Sequence, residues 1–529
     1  MASVDRSRLF ERFRGDFLGL ETVNDVATLD GAPARRRRVY LDATATSLMP
    51  RIVWDAWRSY FDEACANSHT HAHLAGRITT DAIERSRCLM GELVGYDRNV
   101  DTVIFTGNGA TGAGNLLADA IFPAAVTQMI RNLSHPTHDV REATEALVET
   151  LRAERATIVD RLPRDLVVVS KMEHHSNMLP WIRAVGYERV RFVSLRPDGT
   201  LDSDHLRQIL DADGARVRVV AVTGVSNVTG IINPVHDFAR MAHRVGAEIV
   251  IDAAQAAPHV SIAMHPPDDA AAALDHVIIS GHKLYAPGSR GVLVGRREVF
   301  RSDRVVGGVG GGAVDYVSTE EVRFKADASD REEAGTPNIP GTIALGIVAR
   351  LLSAIGMDTA RAHEMTLVTD ALARLGKNPE VVVYGSTDTE RVPRAGVIAF
   401  NLRSLPHGLV ASVLSDFFNI AVRNDCFCAQ PYVKEQLRGV PDVESACTED
   451  TAMSCDVLRR PGMVRASFGV FTTHDDVAKL DEALTWVARR AGELRGLYRQ
   501  TAGGEWEHRT FRMDARFSID QVVDRYAAL

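Results

Sequence analysis

Cysteine is scarce in this chain, positive charge is not in excess, and no long apolar run occurs. Six cysteines among 529 residues, at positions without a repeating spacing, do not make a disulfide framework and fit a reducing cytoplasm. Cys447 and Cys455 match neither zinc nor iron–sulfur spacing. A net charge of −8 argues against a general nucleic-acid binder. The one basic run, Arg35-Arg36-Arg37-Arg38, reads as a solvated turn ahead of the first strand rather than a localisation signal. The amino terminus lacks a charged-then-apolar leader pattern, and no apolar stretch is long enough to span a bilayer. The expectation is a cytoplasmic protein that binds neither membrane nor nucleic acid. Internal repeats and low-complexity tracts are also missing.

Strand and helix patterns alternate from about residue 74 to 300, the signature of a doubly wound α/β domain. After Gly341 the pattern changes to a long helix, strands near 381–384, 396–400 and 420–423, a helix over 409–418 and a closing helix over 475–494. This predicts a large domain over 66–340 and a smaller α+β domain over 341–500, which residues 1–65 join. The tail, 501–529, carries both aromatics and charges, and the sequence does not decide between swapping onto a partner and lying over the site. Two extra stretches stand out, about 124–160, with an amphipathic helical pattern over 141–152, and about 432–462.

Polar chemistry gathers where apolar strands end. The run Val277-Ile278-Ile279-Ser280-Gly281-His282-Lys283 closes a β-branched strand with one lysine, placed to be desolvated and to act as a Schiff-base nucleophile. Upstream, Glu248-Ile249-Val250-Ile251 ends in Asp252-Ala253-Ala254-Gln255. In open α/β sheets ligands sit at the carboxyl ends of strands, so Asp252 and Lys283 would face one crevice. A buried carboxylate beside a ring nitrogen, with an amine for the aldehyde, is what pyridoxal phosphate (PLP) needs to act as an electron sink. A third strand end supplies His174, an imidazole able to stack and to shuttle a proton, and a fourth supplies Asn227. Gly107-Asn108-Gly109-Ala110-Thr111-Gly112 follows a strand and opens an apolar helix, a turn at which backbone amides can meet a phosphate.

Taken together the chain resembles a fold-type I PLP enzyme of the class V aminotransferase group, closest to the cysteine desulfurases and selenocysteine lyases of the sulfur-mobilisation type. The matching runs include Tyr40-Leu41-Asp42, Met172-Glu173-His174-His175, Val225-Ser226-Asn227-Val228 and Ser280-Gly281-His282-Lys283-Leu284-Tyr285. Glu333-Ala334-Gly335-Thr336-Pro337-Asn338, Cys428-Ala429-Gln430-Pro431 and Arg465-Ala466-Ser467 follow in the family's order. The resemblance implies a large domain with a mainly parallel seven-stranded sheet, a smaller α+β domain, and a homodimer. It implies that Lys283 forms the Schiff base, Asp252 pairs with the pyridinium, His174 stacks on the ring and Gln255 bonds the phenolic oxygen. Ala110, Thr111, Ser280 and His282 would hold the phosphate, with Thr336 reaching it from the neighbouring subunit. Asn227 and Arg465 would fix the substrate carboxylate, aided by Arg423, with His69 on the rim. No metal is implied.

Cys428 separates desulfuration from transamination. In the resemblance it stands at the nucleophile position, where a thiolate takes sulfur from L-cysteine as a persulfide, releases alanine and passes the sulfur to an acceptor protein. Cationic groups such as Arg423 favour that thiolate. Selenocysteine or another C–S substrate is a second reading, and a class V aminotransferase or epimerase in which Cys428 is incidental is a third. Two departures bear on the choice. Cys426 stands where the family usually has histidine, and Thr70 follows His69 where an arginine is common. His69, His71 and His73 alternate, which is read as a rim segment rather than a metal site.

Overall fold

The computed structural model describes Phe10 and residues 13–122, 164–301, 304–438, 461–514 and 517–527. Seven strands form the central sheet: β1 (Asp101–Thr106), β2 (Leu166–Ser170), β3 (Val190–Val193), β4 (Val217–Thr223), β5 (Glu248–Asp252), β6 (His276–Ser280) and β7 (Gly291–Arg296). Their order is β1-β7-β6-β5-β4-β2-β3, with β7 antiparallel to both neighbours and the other pairings parallel. The expected mainly parallel seven-stranded α/β sheet is therefore present.

The sequences of these strands explain their burial. Runs such as Leu166–Ser170 and Val217–Thr223 are rich in valine, as strands covered on both faces require. Val167, Val169, Val219, Val250 and Ile278 pack on one face with Leu117 and Trp181. Val168, Val220, Ile249, Ile251, Val277 and Ile279 pack on the other with Leu345 and Val348. Each fully buried aliphatic side chain contributes about 1.5–3 kcal/mol of transfer free energy. The sheet is thus a rigid platform, and the polar residues just past its strands inherit that rigidity.

A second, four-stranded antiparallel sheet follows: β8 (Val381–Val383), β9 (Val397–Leu402), β10 (Arg423–Asp425) and β11 (Met463–Ser467), ordered β8-β9-β11-β10. Its core unites Phe400, Leu402 and Val464 with Leu409, Val413, Leu480 and Leu484. Helix His474–Arg489 starts at a capping box made by Thr473 and Asp476, and Asp476 also binds Arg14 at 2.6 Å. Near the amino terminus, Val39–Tyr40 pairs in parallel with Ile420–Ala421, and Asp42 bridges Ser467.

Several sequence expectations need correction. The arginine run is no turn: Ala34–Arg37 pairs antiparallel with Val23–Val26. Its side chains lie on aromatic faces, Arg36 over Phe418 at 5.2 Å and Arg38 over Tyr40 at 4.6 Å, which gives the run a reason to extend. The long helix after Gly341 is two, Ile339–Ile355 and Met357–Leu375, bent by 77° at Gly356, whose φ is +83°. Among the described residues no single helix is long and apolar enough to cross a membrane. The closing helix breaks at Arg490 into His474–Arg489 and Ala491–Leu497. Early in the tail, Trp506–His508 pairs with Tyr498–Gln500, and Ser412 Oγ donates to the Trp506 carbonyl. That part of the tail lies against the core of the second sheet, not over the crevice. The helical pattern over 141–152, most of both extra stretches, and Cys447 and Cys455 lie outside the described residues.

Candidate active site

A cleft of about 920 Å³ opens where β1, β2, β4, β5 and β6 end and the second sheet closes over them. It brings together Lys283, Asp252, His174, Gln255, Ala110, Thr111, Ser280, His282, Thr336, Asn227, Arg423, Arg465 and Cys428. His69 is not among them. It lines a second cavity of about 530 Å³ with His71, which shares Glu333 and Pro337 with the cleft. His73 has a local task, its Nδ1 accepting the Gly76 N–H at 3.1 Å to cap helix Leu74–Val94.

Lys283 ends a single 3₁₀ turn after β6, and its backbone is pinned by Ser47, which bonds the carbonyls of His282 and Lys283. Burial pushes its amine down to about 8, against the upward pull of Asp252. Asp252 is 3 % exposed at the end of β5. Its Oδ1 accepts the Ala254 N–H at 2.9 Å, burial pushes its carboxyl up, and Lys283 counters this. One buried cation-forming and one buried anion-forming group thus face the same space.

His174 is neutral. Burial, reinforced by Lys283, pushes its imidazole down to about 3. Its Nδ1 accepts the Ser176 N–H at 3.1 Å, which leaves the ring proton on Nε2. Glu173, which the sequence reading quoted only within a motif, holds this turn in place. Its Oε1 accepts the Thr223 N–H at 2.9 Å and the Ser170 hydroxyl, and its Oε2 accepts the Asn177 amide at 2.7 Å. Burial pushes its carboxyl up to about 8. The signal for it was an acidic residue three positions past the end of an apolar strand.

At the far end of the cleft, helix Gly109–Ile121 points its first turn inward. Asn108 makes no side-chain cap, so amides such as those of Ala110 and Thr111 are left for a ligand. Gly109 has φ +57°, and a Cβ there would lie 2.7 Å from Ser280 Oγ. The turn therefore demands glycine. Thr111 Oγ1 and Ser176 Oγ are 2.6 Å apart, and His282, pushed down to about 4 by burial, is a neutral donor. Hydroxyls, a neutral imidazole and open helix amides suit a phosphate.

The residues fit PLP on a further observation. Gln255 Nε2 donates to the Thr44 carbonyl at 3.0 Å, while Gln255 Oε1 and Thr44 Oγ1 are buried without partners. A phenolic oxygen would find an acceptor in the first when protonated and a donor in the second when ionised. The free Gln255 oxygen, not its amide nitrogen, is what this side chain offers.

Arg465 lies buried in the same cleft, its Nη1 donating to the Asn227 carbonyl at 2.9 Å and its Nη2 to Asp42 Oδ1 at 3.3 Å. Its Nε has no partner, and burial lowers the guanidinium to about 10. Arg423 faces it across the β10–β11 pairing and is exposed. Asn227 gives its amide to the Phe427 carbonyl at 2.8 Å, and Arg465 stacks over the Phe427 ring at 4.7 Å. The His175 N–H donates to the Cys428 carbonyl at 2.8 Å. These contacts hold a loop in which Asp425, Phe427 and Cys428 all have positive φ, a costly backbone for non-glycine residues. Cys428 is exposed into the cleft and Cys426 is half-buried beside it.

The class-V aminotransferase family matches residues 39–135 and 140–480 of this chain. A cysteine desulfurase of Dickeya dadantii is 31% identical over 486 residues, covering 91% of this chain and 98% of its own. One from Escherichia coli O127:H6 is 30% identical over 456 residues, covering 86% and 94%. Among solved structures, the apo cysteine desulfurase of Thermococcus onnurineus NA1 aligns with a TM-score of 0.66 at 27% identity, covering 85% of this chain and 95% of its own. An S-sulfonic acid form of an Escherichia coli cysteine desulfurase aligns at 0.65 and 26%, covering 92% and 98%. On sequence and fold alike, the chain belongs to the class-V aminotransferase family and, within it, to the cysteine desulfurases.

Proposed function

We propose that the protein is a PLP-dependent cysteine desulfurase that converts L-cysteine to L-alanine and carries the sulfur as a persulfide on Cys428. The observation that carries this reading is one cleft that brings Lys283 and Asp252 together with Cys428 and Arg465. Lys283 would hold the cofactor covalently, Asp252 its ring nitrogen, His174 its face, and the Gly109–Thr111 turn with Ser280 and His282 its phosphate. When bound, PLP supplies an electron sink for the substrate Cα–H bond.

The chain's own residues do the rest. Arg465 receives the substrate carboxylate on a guanidinium already oriented by Asp42 and Asn227. Its unpartnered Nε gives that carboxylate an extra donor. The Lys283 amine, lowered to about 8, is basic enough to take the Cα proton and close enough to neutrality to release it. His174, with Nδ1 occupied by Ser176, keeps its Nε2–H as a donor within the cleft. Cys428, on its exposed loop, attacks the substrate sulfur; the C–S electron pair leaves with the carbon skeleton and the new S–S bond stays on Cys428.

The protein acts as a cytoplasmic homodimer in this reading. Ile52, Trp54, Phe61, Leu74 and Ile78 expose apolar side chains along Arg51–Glu63 and Leu74–Val94, which supports a paired surface there. Thr336, exposed at the cleft rim, would reach the neighbouring subunit's phosphate, and an acceptor protein would take the sulfur. In this reading the chain divides into a large domain over 66–340 and a smaller one over 341–500, an assignment supported by the two separate sheets.

The test supplies PLP, L-cysteine and excess thiol reductant to the purified protein and measures sulfide, alanine and keto acid together. Equimolar sulfide and alanine are expected. Keto acid with retained sulfur in the product would sink the proposal and favour a transaminase.

A further inference from the structure

The loop that carries Cys428 holds a second thiol in the same cleft, Cys426, two residues away. Between them the chain closes a tight turn: the Ala429 N–H donates to the Cys426 carbonyl at 2.9 Å, with Phe427 at φ +53° and Cys428 at φ +55°. Positive φ at both central positions is the type I′ form, which brings Ala429 back to Cys426 and keeps Cys428 at the tip of the same closed turn. The Cys428 backbone N–H partly offsets the upward push of burial on the Cys426 thiol. Asp425 completes the enclosure, its Oδ1 accepting the Cys426 N–H at 2.7 Å and its carboxylate lying against the thiol. Residues two apart in a closed turn fall within the roughly 4.4–6.8 Å Cα separation a disulfide spans.

The two sulfurs stand in different surroundings. Cys428 is exposed to incoming substrate, whereas Cys426 is half-buried and faces Asp425. Burial and that carboxylate push the Cys426 thiol up, so it rests as a neutral thiol and does not compete with Cys428 for substrate sulfur. The same surroundings penalise an anionic persulfide on Cys426 but not a neutral disulfide.

We propose that Cys426 is the resolving thiol of this loop, attacking the inner sulfur of the Cys428 persulfide to release sulfide and leave a Cys426–Cys428 disulfide. This rests on the desulfurase reading above. In the step, the Cys426 sulfur–Cys428 sulfur bond forms and the bond from Cys428 to the outer sulfur breaks. The thiol proton passes to the adjacent Asp425 carboxylate as the Cys426 sulfur attacks, and then to the outer sulfur, which leaves with the electron pair as hydrogen sulfide. The two cysteines are oxidised by two electrons and the sulfane sulfur is reduced by two. An external thiol restores the pair, two thiols becoming one disulfide. Without a reductant the enzyme therefore stops after one turnover with its nucleophile locked.

The experiment gives the holoenzyme one equivalent of L-cysteine per active site, so that no free thiol survives the turnover, with no other reductant and no acceptor present. It measures alanine, free sulfide and the intact mass of the alkylated protein. Wild type is expected to give about one sulfide per alanine and to lose two alkylatable thiols without gaining sulfur. Cys426→Ser is expected to form the same alanine, release little sulfide, and carry one added sulfur on Cys428. Wild type that keeps the added sulfur on Cys428, with Cys426 still alkylatable, would overturn the proposal. If neither protein forms alanine, the desulfurase reading itself has failed. The resting protein treated with diamide then decides the pair: a Cys426–Cys428 disulfide in the peptide map upholds the dithiol, and its absence rejects it.

Discussion

The depressed amine of Lys283 makes a quantitative claim that pH can test. An ordinary lysine titrates near 10.5; burial brings this one to about 8. At pH 7 the neutral, nucleophilic fraction is then about 9 %, against about 0.03 % for an unperturbed lysine, a gain of roughly 300-fold. Capture of PLP by cofactor-free protein, followed by the rise of the Schiff-base absorbance in a stopped-flow instrument, should therefore climb with pH and level off near pH 8. Asp252 pulls the lysine upward, so Asp252→Asn should move the midpoint lower, not higher. A capture rate that keeps rising tenfold per pH unit through pH 9.5 would refute the argument, because it would mean that the lysine is solvated.

Further expectations follow from the surrounding contacts. Arg465→Lys removes the planar fork and its bonds to Asn227 and Asp42, so KM for L-cysteine should rise by about 10- to 100-fold, read from initial rates. Glu173→Leu strips three hydrogen-bonded donors of their acceptor and should cost about 2–4 kcal/mol in urea unfolding, while Glu173→Gln retains most of that stability. The Glu173 carboxyl is raised from 4.5 to about 8 in the fold, so its contribution is full below pH 4.5 and lost as pH rises through 8. Unfolding midpoints of wild type and Glu173→Gln across that window should diverge in favour of the glutamine variant; parallel curves would reject the assignment.

Much of this site can be read from one sequence because strand ends in an α/β sheet announce themselves. Val277–Ser280 cannot stay apolar past the sheet edge, and Ser280, His282 and Lys283 mark where the backbone leaves it. Asp252 is legible for the same reason, one strand away. What resists reading is set by contacts between distant segments. Arg465 is held by Asp42, more than four hundred residues earlier, and Asn227 by the Phe427 carbonyl. Neither partner follows from periodicity. Glu173 looks like an ordinary strand-end acid until Thr223 and Asn177 close around it. His69 reads as a rim residue, yet a left-handed backbone at φ +61° turns it into the neighbouring cavity. The arginine run misleads because charge suggests solvent, whereas Phe418 and Tyr40 give its guanidinium groups flat surfaces to cover.

The most direct test of the central claim is sulfide release by Cys428→Ala, assayed with L-cysteine, PLP and a thiol reductant, beside an absorbance spectrum confirming bound cofactor. Because Lys283, Asp252 and the phosphate turn are untouched, the spectrum should match wild type. Sulfide should fall by about 100-fold or more, as loss of a covalent nucleophile requires. Undiminished sulfide from a fully loaded variant would contradict the account, leaving Cys428 a bystander at the mouth of another chemistry.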